Sequence, residues 1–517
     1  MSRTSRFLGG LSFGYLHLAA VTIAGLWLTP FLLRHIGQHD LGLWLMITQV
    51  VNFLGLLDLG VVTLLPRETA YVAGARPLGE RPDLAPLMAR VWRIVWLQVP
   101  VVLLAAALAW WVLPGEWDAV RVPMLLVVGA FVALFPARVF NAVLQGVQDL
   151  AFVGRLQLTV WAVSTAITIG LVLAGAGLYA VVLGWVVTQV AGAAGSGIRA
   201  YRLVPEVFTA GRPVKGDPAV AAYMSRSAWI GVSQIAQVFL AGTDMLVIGR
   251  LLGPAAVVPY SCTTKLVSVL ANHPHLLMHA ASPALSELRA GGSRPRLAEL
   301  STALTLAMLV ASGAIATVVV AGNQLFVGWW VGPSQFGGWR LTAIAVVLML
   351  VRHWNTASTY TLFCFGHDRR ISITMLADGL VTFAASVVCV RAFGTIGAPI
   401  GSLVGVLLIG LPANTLQIAR DLGVTPVQVV LQLASWAVRM AIAALVAWGL
   451  ALQLAGTGLM GLIAAAGAAG LVYAALVVPL LLQPPLRAFF LPALHAVRGY
   501  LPLGLARTLG APGVPHS

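Results

Sequence analysis

Residues 458–482 read GLMGLIAAAGAAGLVYAALVVPLLL and hold no charged side chain. A helix needs about 20 mostly apolar residues to cross the hydrocarbon core of a bilayer, which is about 30 Å thick. This run is long enough for such a crossing. It predicts a membrane-spanning helix close to the C-terminus.

The whole chain has the same character. Of its 517 residues, 59% are hydrophobic and 9% are charged, and mean hydropathy is +0.93. Soluble proteins carry about 25% charged residues, so a water-soluble fold is excluded. We predict an all-α polytopic membrane protein with about fourteen transmembrane helices. The predicted spans are 7–33, 41–65, 91–113, 122–146, 156–175, 178–198, 224–249, 256–281, 300–322, 341–365, 371–391, 396–417, 434–454 and 458–482.

The net charge of +15 is spread between the apolar runs. A nucleic-acid partner is not expected, because that function needs one clustered basic face. If the N-terminus is inside, the inner connections and helix ends hold 24 of the 31 lysines and arginines and the outer ones hold five. Positive residues favour the cytoplasmic side. We therefore predict a multi-pass inner (cytoplasmic) membrane protein with both termini in the cytoplasm.

The connections and the three cysteines argue against several other classes. No outer connection is long enough for a catalytic domain, so an enzyme is not expected. Cys262, Cys364 and Cys389 all lie in apolar segments and form neither a disulfide framework nor a zinc motif. We expect no metal and no cofactor.

An internal repeat appears when the chain is shifted by about 216 residues. The matched pairs are Arg34 with Arg250, Gly37 with Gly253, Trp44 with Tyr260, Pro66 with Pro283, Gly74 with Gly291, Gly146 with Gly366, and Gly177 with Gly397. The repeat predicts two six-helix lobes in the same orientation around a central cavity, followed by two unmatched C-terminal helices. The predicted organisation is an N-lobe at 1–200, a cytoplasmic linker at 201–223, a C-lobe at 224–420, an appended helix pair at 421–483 and a cytoplasmic tail at 484–517.

Short motifs in both lobes point to one family. They are Leu41–Trp44, Leu57–Gly60, Arg67-Glu68 and Leu144–Gly146 in the first lobe, and Asp244, Gly249, Gly253, Tyr260, Lys265 and Pro283–Leu288 in the second. Across nearly its whole length the chain resembles bacterial polysaccharide transporters, the O-antigen flippase type of the multidrug/oligosaccharidyl-lipid/polysaccharide (MOP) exporter superfamily.

The resemblance implies a function. A flippase of this type moves an undecaprenyl-pyrophosphate-linked oligosaccharide across the cytoplasmic membrane by alternating access, for surface polysaccharides such as lipopolysaccharide O-antigen. Its implied partners are the lipid-linked substrate, membrane lipids, and the glycan polymerase and chain-length machinery. A coupling ion, H⁺ or Na⁺, is left open.

Seven ionisable residues lie inside predicted spans, where each costs at least about 2.5–3.5 kcal/mol on insertion scales. They are Asp58, Arg138, Asp244, Lys265, Arg352, Asp378 and Arg439. Two interpretations remain open for the second lobe. Salt bridges join Asp244 to Lys265 and Arg352 to Asp378, or the two cations receive a pyrophosphate while the acids balance charge or accept a coupling proton.

The remaining intramembrane charges also have alternatives. Because the resemblance implies a cavity lined by helices 1, 2, 7 and 8, Lys265 ranks first as a cavity cation, then Arg352, then Arg138. Arg138 either lines a cavity or extends to the inner interface, and Arg439 is expected to extend in that way. Asp58 is expected to pair with Arg67 or to cap a helix, with charge coupling as the other role.

Uncharged polar residues complete the candidates. Asn52, Gln234 and Gln237 contact sugar hydroxyls or bond neighbouring helices. The histidines of the eighth span lack a zinc motif and are expected to pack or to anchor the interface; they are His273, His275 and His279.

Two other transporters are alternatives to an oligosaccharide flippase. One is a cation-coupled multidrug exporter of the same superfamily, which favours acidic cavity groups and usually has twelve helices. The other is a flippase for lipid-linked peptidoglycan precursors, which typically has several cations in helices 1 and 2. The interiors of those helices hold no lysine or arginine here, only His17 and Asp58.

Overall fold

The computed structural model describes residues 3–56, 58, 60–74, 84–112, 118–209, 218–275, 277–278, 294–454 and 458–487. Its regular elements in these ranges are helical, as predicted. The helices are α1 (Arg3–Leu56), α2 (Val61–Gly74), α3 (Leu84–Val112), α4 (Asp118–Leu134), α5 (Arg138–Gly146), α6 (Leu150–Leu173), α7 (Leu178–Leu203), α8 (Glu206–Thr209), α9 (Pro218–Ala241), α10 (Thr243–Leu252), α11 (Val257–Leu270), α12 (Arg294–Trp330), α13 (Trp339–Cys364), α14 (Asp368–Phe393), α15 (Gly397–Gly405), α16 (Leu411–Leu422), α17 (Pro426–Leu431), α18 (Ala434–Gln453) and α19 (Gly458–Leu481).

Nine helical stretches in the described part of the chain are long and apolar enough to cross a membrane. A tenth counts if Gly231–Leu240 and Thr243–Leu252, which are bent by 42°, form one span. Two of the nine, Ala20–Leu56 and Asp368–Leu422, each run through two predicted spans. The polytopic all-helical prediction is confirmed, whereas the number fourteen stays a prediction.

The long stretch Asp368–Leu422 contains a reversal. At about 1.5 Å per residue, a straight helix of 55 residues would be more than twice as long as the hydrocarbon core is thick. Gly394 adopts φ 67°, a left-handed conformation that favours glycine. Gly394 begins a short 3₁₀ turn, Gly394–Ile396, after which α15 packs back against α14.

Glycines at every fourth position allow that close packing. A Cβ on Gly397, Gly401 or Gly405 would meet α14 at Cys389, Ser386 or Thr382, respectively, closer than 3.0 Å. These residues lie on one face of the helix because they are four residues apart. Small residues at this spacing let two helix backbones approach in a membrane. The GxxxGxxxG pattern therefore fixes the α14–α15 pair.

The chain separates into two compact units. Unit 1 contains Met1–Cys262, Trp330–Gly337 and Asp368–Gly405, and unit 2 contains Thr263–Trp329, Gly338–His367 and Val406–Ser517. In unit 1, α1 packs on α6, α2 on α5, α6 on α7, and α9 on α14. The predicted boundaries of lobes, linker and tail follow the sequence repeat and stay predictions.

Within unit 1, α1 also meets the turn after α10. Gln38 Nε2 donates a hydrogen bond to the Ala255 carbonyl at 2.8 Å. A Cβ on Gly42 would collide with the Pro254 carbonyl, so glycine permits this close approach. These contacts join a segment of the predicted N-lobe to a segment of the predicted C-lobe.

The backbone conformations of the matched glycines agree with one pair of the repeat and correct another. Gly37 (φ 83°, ψ 168°) and Gly253 (φ 91°, ψ 155°), which the repeat matches, share one left-handed conformation. The match of Gly146 with Gly366 needs correction, because the left-handed residue of the turn after α5 is Gln148, at φ 63°. The Gln148 N–H donates to the Gln145 carbonyl, just as the Gly366 N–H donates to the Phe363 carbonyl. Gly146 instead packs closely on Thr69 of α2.

The core of unit 2 forms among α12, α13, α18 and α19. Tyr473 of α19 is its polar centre. The Tyr473 hydroxyl donates to the Val310 carbonyl at 2.8 Å and accepts a hydrogen bond from Trp436 Nε1 at 3.2 Å. Gly313 leaves room for this ring, since a Cβ there would overlap the hydroxyl. The helix pair predicted as an appendage is thus tied to α12.

We expect Tyr473→Phe to lower the melting temperature of the purified protein. The change removes both hydrogen bonds without creating a large cavity, and such interhelical bonds contribute about 0.6–1.7 kcal/mol in membrane proteins. Thermal unfolding in detergent measures the effect. Tyr179→Phe, on an exposed side chain of α7, is the control and should leave the melting temperature unchanged. An equal effect of both changes would contradict the role of Tyr473.

Candidate functional site

A cavity of about 750 Å³ lies inside unit 1, between α2, α5, α6 and α7. The volume is in the range of ordinary ligand sites, about 300–1,000 Å³. Half of its twenty lining residues are polar or aromatic. The polar and aromatic lining residues are Asp58, Thr63, Arg138, Asn141, Gln145, Gln157, Trp161, Thr188, Gln189 and Ser196.

Arg138 provides the positive charge of the cavity wall. It is the first residue of α5, where the chain changes from a short 3₁₀ turn to an α-helix. Its Nη1 donates to the Gly55 carbonyl at 2.9 Å, and its guanidinium lies 5.6 Å from the centre of the Phe135 ring. A guanidinium has five N–H donors. Among the described residues only Gly55 accepts from Arg138, so most of its donors remain available to a ligand.

Asp58 provides the negative charge. Its side chain is 1% exposed, and its Oδ1 accepts from the Gly60 N–H at 3.0 Å. This bond joins residues two apart in the turn before α2, and both local roles expected for Asp58 stay predictions. Asp58 and Arg138 both line the cavity. Arg67, the expected partner, lies 3.4 Å from Glu68.

Carboxamide side chains form much of the remaining wall. Asn141 and Gln145 lie on α5, in line with Arg138, and Gln145 Nε2 donates to Asn141 Oδ1 at 2.8 Å. Gln157 faces the cavity from α6 and Gln189 from α7. Each carboxamide both donates and accepts hydrogen bonds. The cavity wall therefore combines one acid and one base with several uncharged hydrogen-bonding groups.

The predicted site residues near α10 and α14 have local partners within unit 1. Asp244 Oδ2 accepts from the Tyr260 hydroxyl at 2.7 Å. Asp378 is 1% exposed, and its Oδ1 accepts from Thr382 Oγ1 at 3.1 Å. Lys265 and Arg352 belong to unit 2 and are partly buried. Both salt bridges predicted for these residues, and their role as cavity cations, stay predictions.

Of the predicted sugar contacts, Gln234 has a partner on a neighbouring helix. Its Nε2 donates to Thr63 Oγ1 of α2 at 3.1 Å. This is a bond between helices, the alternative to a sugar contact. Thr63 itself lines the cavity. Asn52 and Gln237 are exposed at the surface of unit 1.

Arg439 and the histidines have local contacts. Arg439 donates to its own helix at Ser435. The ring of His275 lies 5.1 Å from that of His353, which is buried and close to Ser312. His273 Nδ1 lies 3.2 Å from the Leu270 carbonyl. His279 lies outside the described residues. In the part of the chain that the structure describes, no three potential ligands converge on a metal site.

Sequence reasoning missed Gln157, Trp161 and Gln189. Uncharged amides in apolar spans usually bond neighbouring helices, so their presence alone does not predict a ligand site. One signal was present: Gln157 and Trp161 are four residues apart and share a face of α6. Their convergence with Gln189 on one cavity depends on the tertiary structure.

Comparisons with known proteins agree with this architecture. A family model described as "Polysaccharide biosynthesis protein" matches residues 11–289. No curated protein sequence matches the chain. A solved structure titled "Lipid II flippase MurJ, inward closed conformation" has a TM-score of 0.61 at 10% identity, covering 92% of this chain and 100% of that chain. At this identity the likeness shows the fold alone. Because the family model spans more than half of the chain, the chain belongs to the polysaccharide biosynthesis protein family, within the MOP superfamily.

Proposed function

We propose that the protein is a flippase that moves a polyprenyl-pyrophosphate-linked oligosaccharide across the cytoplasmic membrane. The cavity of unit 1 is the observation that carries this proposal. Arg138 supplies donors in the planar arrangement that suits phosphate, and Asp58 balances its charge when no substrate is bound. The uncharged polar wall suits hydroxyl groups. The polyprenyl tail stays in lipid.

The location of the cavity suits loading from the cytoplasm. Its lining residues on α5 and α6 lie on either side of the turn at 147–149. The distribution of lysine and arginine predicts that this end faces the cytoplasm. Opening to the other side would then separate the contacts of Gln38 and Gly42 with Pro254 and Ala255.

The membrane potential is a sufficient energy source for such export. Moving one charge through 100 mV is worth about 2.3 kcal/mol, so a pyrophosphate with two charges gains roughly 4–5 kcal/mol when it leaves a negative interior. A GxxxxGK[ST] nucleotide-binding motif is absent from the sequence. Coupling to H⁺ or Na⁺ through Asp244, Asp378 or Asp58 would add to this energy.

We also propose the kind of polysaccharide, the topology and the partners of the flippase. The oligosaccharide that it moves is a unit of lipopolysaccharide O-antigen or of a similar surface polysaccharide. The protein lies in the inner membrane with both termini in the cytoplasm. A glycan polymerase and chain-length machinery would receive the flipped substrate. Arg138 of unit 1 is the pyrophosphate contact that lines the cavity. Lys265 and Arg352 of unit 2 are separate candidates for contacting the pyrophosphate, and Asn52, Gln234 and Gln237 are further candidate sugar contacts.

Charge distinguishes this proposal from export of cationic drugs. A site for cations needs an excess of acidic groups, whereas Arg138 offsets Asp58 in the cavity wall. Deleting the gene should abolish surface glycan and cause its lipid-linked precursor to accumulate, and the intact gene should restore both. Unchanged glycan together with increased sensitivity to cationic dyes would instead identify a drug exporter. Adjacent glycosyltransferase genes would be consistent with glycan export.

We expect Lys265→Ala to abolish surface glycan assembly while the amount of protein in the membrane stays normal. A lysine ammonium acts on phosphate as a point charge, and alanine removes that charge. Lys265→Arg keeps the charge and should retain most of the activity. Quantitative staining of surface glycan, normalised to protein level, measures both variants. Full activity of Lys265→Ala would remove this residue from the proposed site.

A further inference from the structure

We propose that the cavity of unit 1 holds the sugar next to the pyrophosphate, and that Gln157, Gln189 and Trp161 recognise it. This inference rests on the proposed function and identifies the part of the substrate that the cavity binds. The class of ligand is a neutral hexose or N-acetylhexosamine attached to polyprenyl pyrophosphate.

The cavity wall has unused hydrogen-bonding capacity. Among the described residues, the carboxamides of Gln157 and Gln189 have no hydrogen-bond partner, and both border the cavity. Each offers two N–H donors and an acceptor oxygen. The bond between Gln145 and Asn141 uses one donor of Gln145 and leaves the Asn141 N–H groups available. Sugar hydroxyls donate and accept, so they match such a wall.

Trp161 is placed to pack against a sugar ring. It follows Gln157 by four residues, so the indole and the carboxamide lie side by side on α6, and both line the cavity. An indole has a large apolar surface. A pyranose ring has an apolar C–H face and a rim of hydroxyls. The ring can therefore pack on Trp161 while its rim reaches Gln157.

The charges of the cavity wall suit a ligand with one anionic end. Asp58 and Arg138 are the ionisable residues among those that line the cavity, and they have opposite signs. A ligand with many anionic groups would need more cations, and a cationic ligand would need an excess of acid. The pair can receive one phosphate group at Arg138. The rest of the cavity then suits an uncharged, hydroxyl-rich group.

The experiment measures binding to the purified full-length protein in nanodiscs. The probes are undecaprenyl pyrophosphate, and the same lipid carrying glucose, galactose or N-acetylglucosamine. We expect the wild type to bind at least one sugar-bearing lipid more tightly than the bare lipid. Gln157→Leu and Gln189→Leu should each reduce that preference about three- to tenfold, the equivalent of one hydrogen bond, without changing affinity for the bare lipid.

Two further variants make the result specific. Trp161→Ala should also reduce the preference for sugar. Gln453→Leu, an exposed carboxamide at the end of α18, should leave both affinities at the wild-type value. Thermal unfolding of each variant verifies that it is folded.

The outcomes separate the sugar site from the flippase proposal. If the wild type prefers a sugar-bearing lipid and the Gln157, Gln189 and Trp161 variants keep that preference, the sugar lies elsewhere and the flippase proposal stands. If no sugar-bearing lipid binds better than the bare lipid, the sugar site is likewise excluded. If the wild type binds neither kind of lipid, the proposed function fails, and this inference fails with it.

Discussion

Replacing Arg138 by glutamine is expected to reduce surface glycan to less than about a tenth of the wild-type amount. Glutamine keeps a polar side chain at the start of α5 but removes the charge and the planar set of donors. Hydrogen bonds to charged groups contribute about 1.5–3 kcal/mol, and each 1.4 kcal/mol is a factor of ten in affinity. A single lost phosphate contact is therefore sufficient for the expected effect.

The charge balance of the cavity requires a second variant. Asp58 is buried and lines the same cavity as Arg138, so Arg138→Gln alone leaves a buried carboxylate in a wall without a cation, which destabilises a protein. The double variant Asp58→Asn with Arg138→Gln removes both charges, and asparagine can still accept from the Gly60 N–H. We expect it to recover the thermal stability of the wild type but not its glycan export.

Controls distinguish a substrate contact from a general effect of charge. Arg155 lies on α6, is exposed, and donates to the Ala151 carbonyl of its own helix. Arg155→Gln removes the same charge from the same end of unit 1 and should keep export near the wild-type level. If the double variant exports normally, Arg138 has a structural role alone.

Replacing Gly401 by leucine is expected to prevent the protein from folding. A Cβ at this position would lie closer than 3.0 Å to backbone atoms of Ser386. These atoms cannot rotate away, so α15 would have to separate from α14. Gly401→Ala introduces the Cβ alone and should cost at least about 1–3 kcal/mol, as overpacking does. Fluorescence-detected size-exclusion chromatography measures the folded fraction, and heating measures the stability.

Glycines with open surroundings provide matched controls. A Cβ on Gly449 of α18 or on Gly170 of α6 would meet no atom within 4 Å. Gly449→Leu should therefore yield folded protein, and Gly170→Ala should not lower stability, since alanine favours a helix more than glycine does. Equal loss of folded protein in Gly401→Leu and Gly449→Leu would show that the α14–α15 contact is not the cause.

Much of the fold could be predicted because a membrane imposes strong patterns. Long apolar runs identified the helices, and the shared backbone conformation of Gly37 and Gly253 agrees with the repeat. The register of the repeat is harder to predict from the sequence. An alignment favours glycine on glycine and therefore pairs Gly146 with Gly366, although Gln148 is the residue with positive φ.

The candidate site was predictable only in part. Arg138 could be predicted as a site residue because a cation in an apolar span has a high free-energy cost, which a partner or a function must offset. Gln157 and Gln189 could not be predicted, since an isolated amide in a span does not show which neighbours it faces. The residue that faces Gly401 could not be predicted either. The glycine spacing predicts a close helix contact, but it does not show that Ser386 of α14 is the neighbour.

The flippase proposal is tested most directly by transport in proteoliposomes. Purified protein is reconstituted with a fluorescent undecaprenyl pyrophosphate bearing one sugar, and a membrane-impermeant quencher reports which leaflet holds the lipid. The wild type should translocate the lipid faster when the potential favours outward movement of negative charge, and the double variant Asp58→Asn with Arg138→Gln should match protein-free vesicles. Equal rates for the wild type and protein-free vesicles would contradict the proposed function.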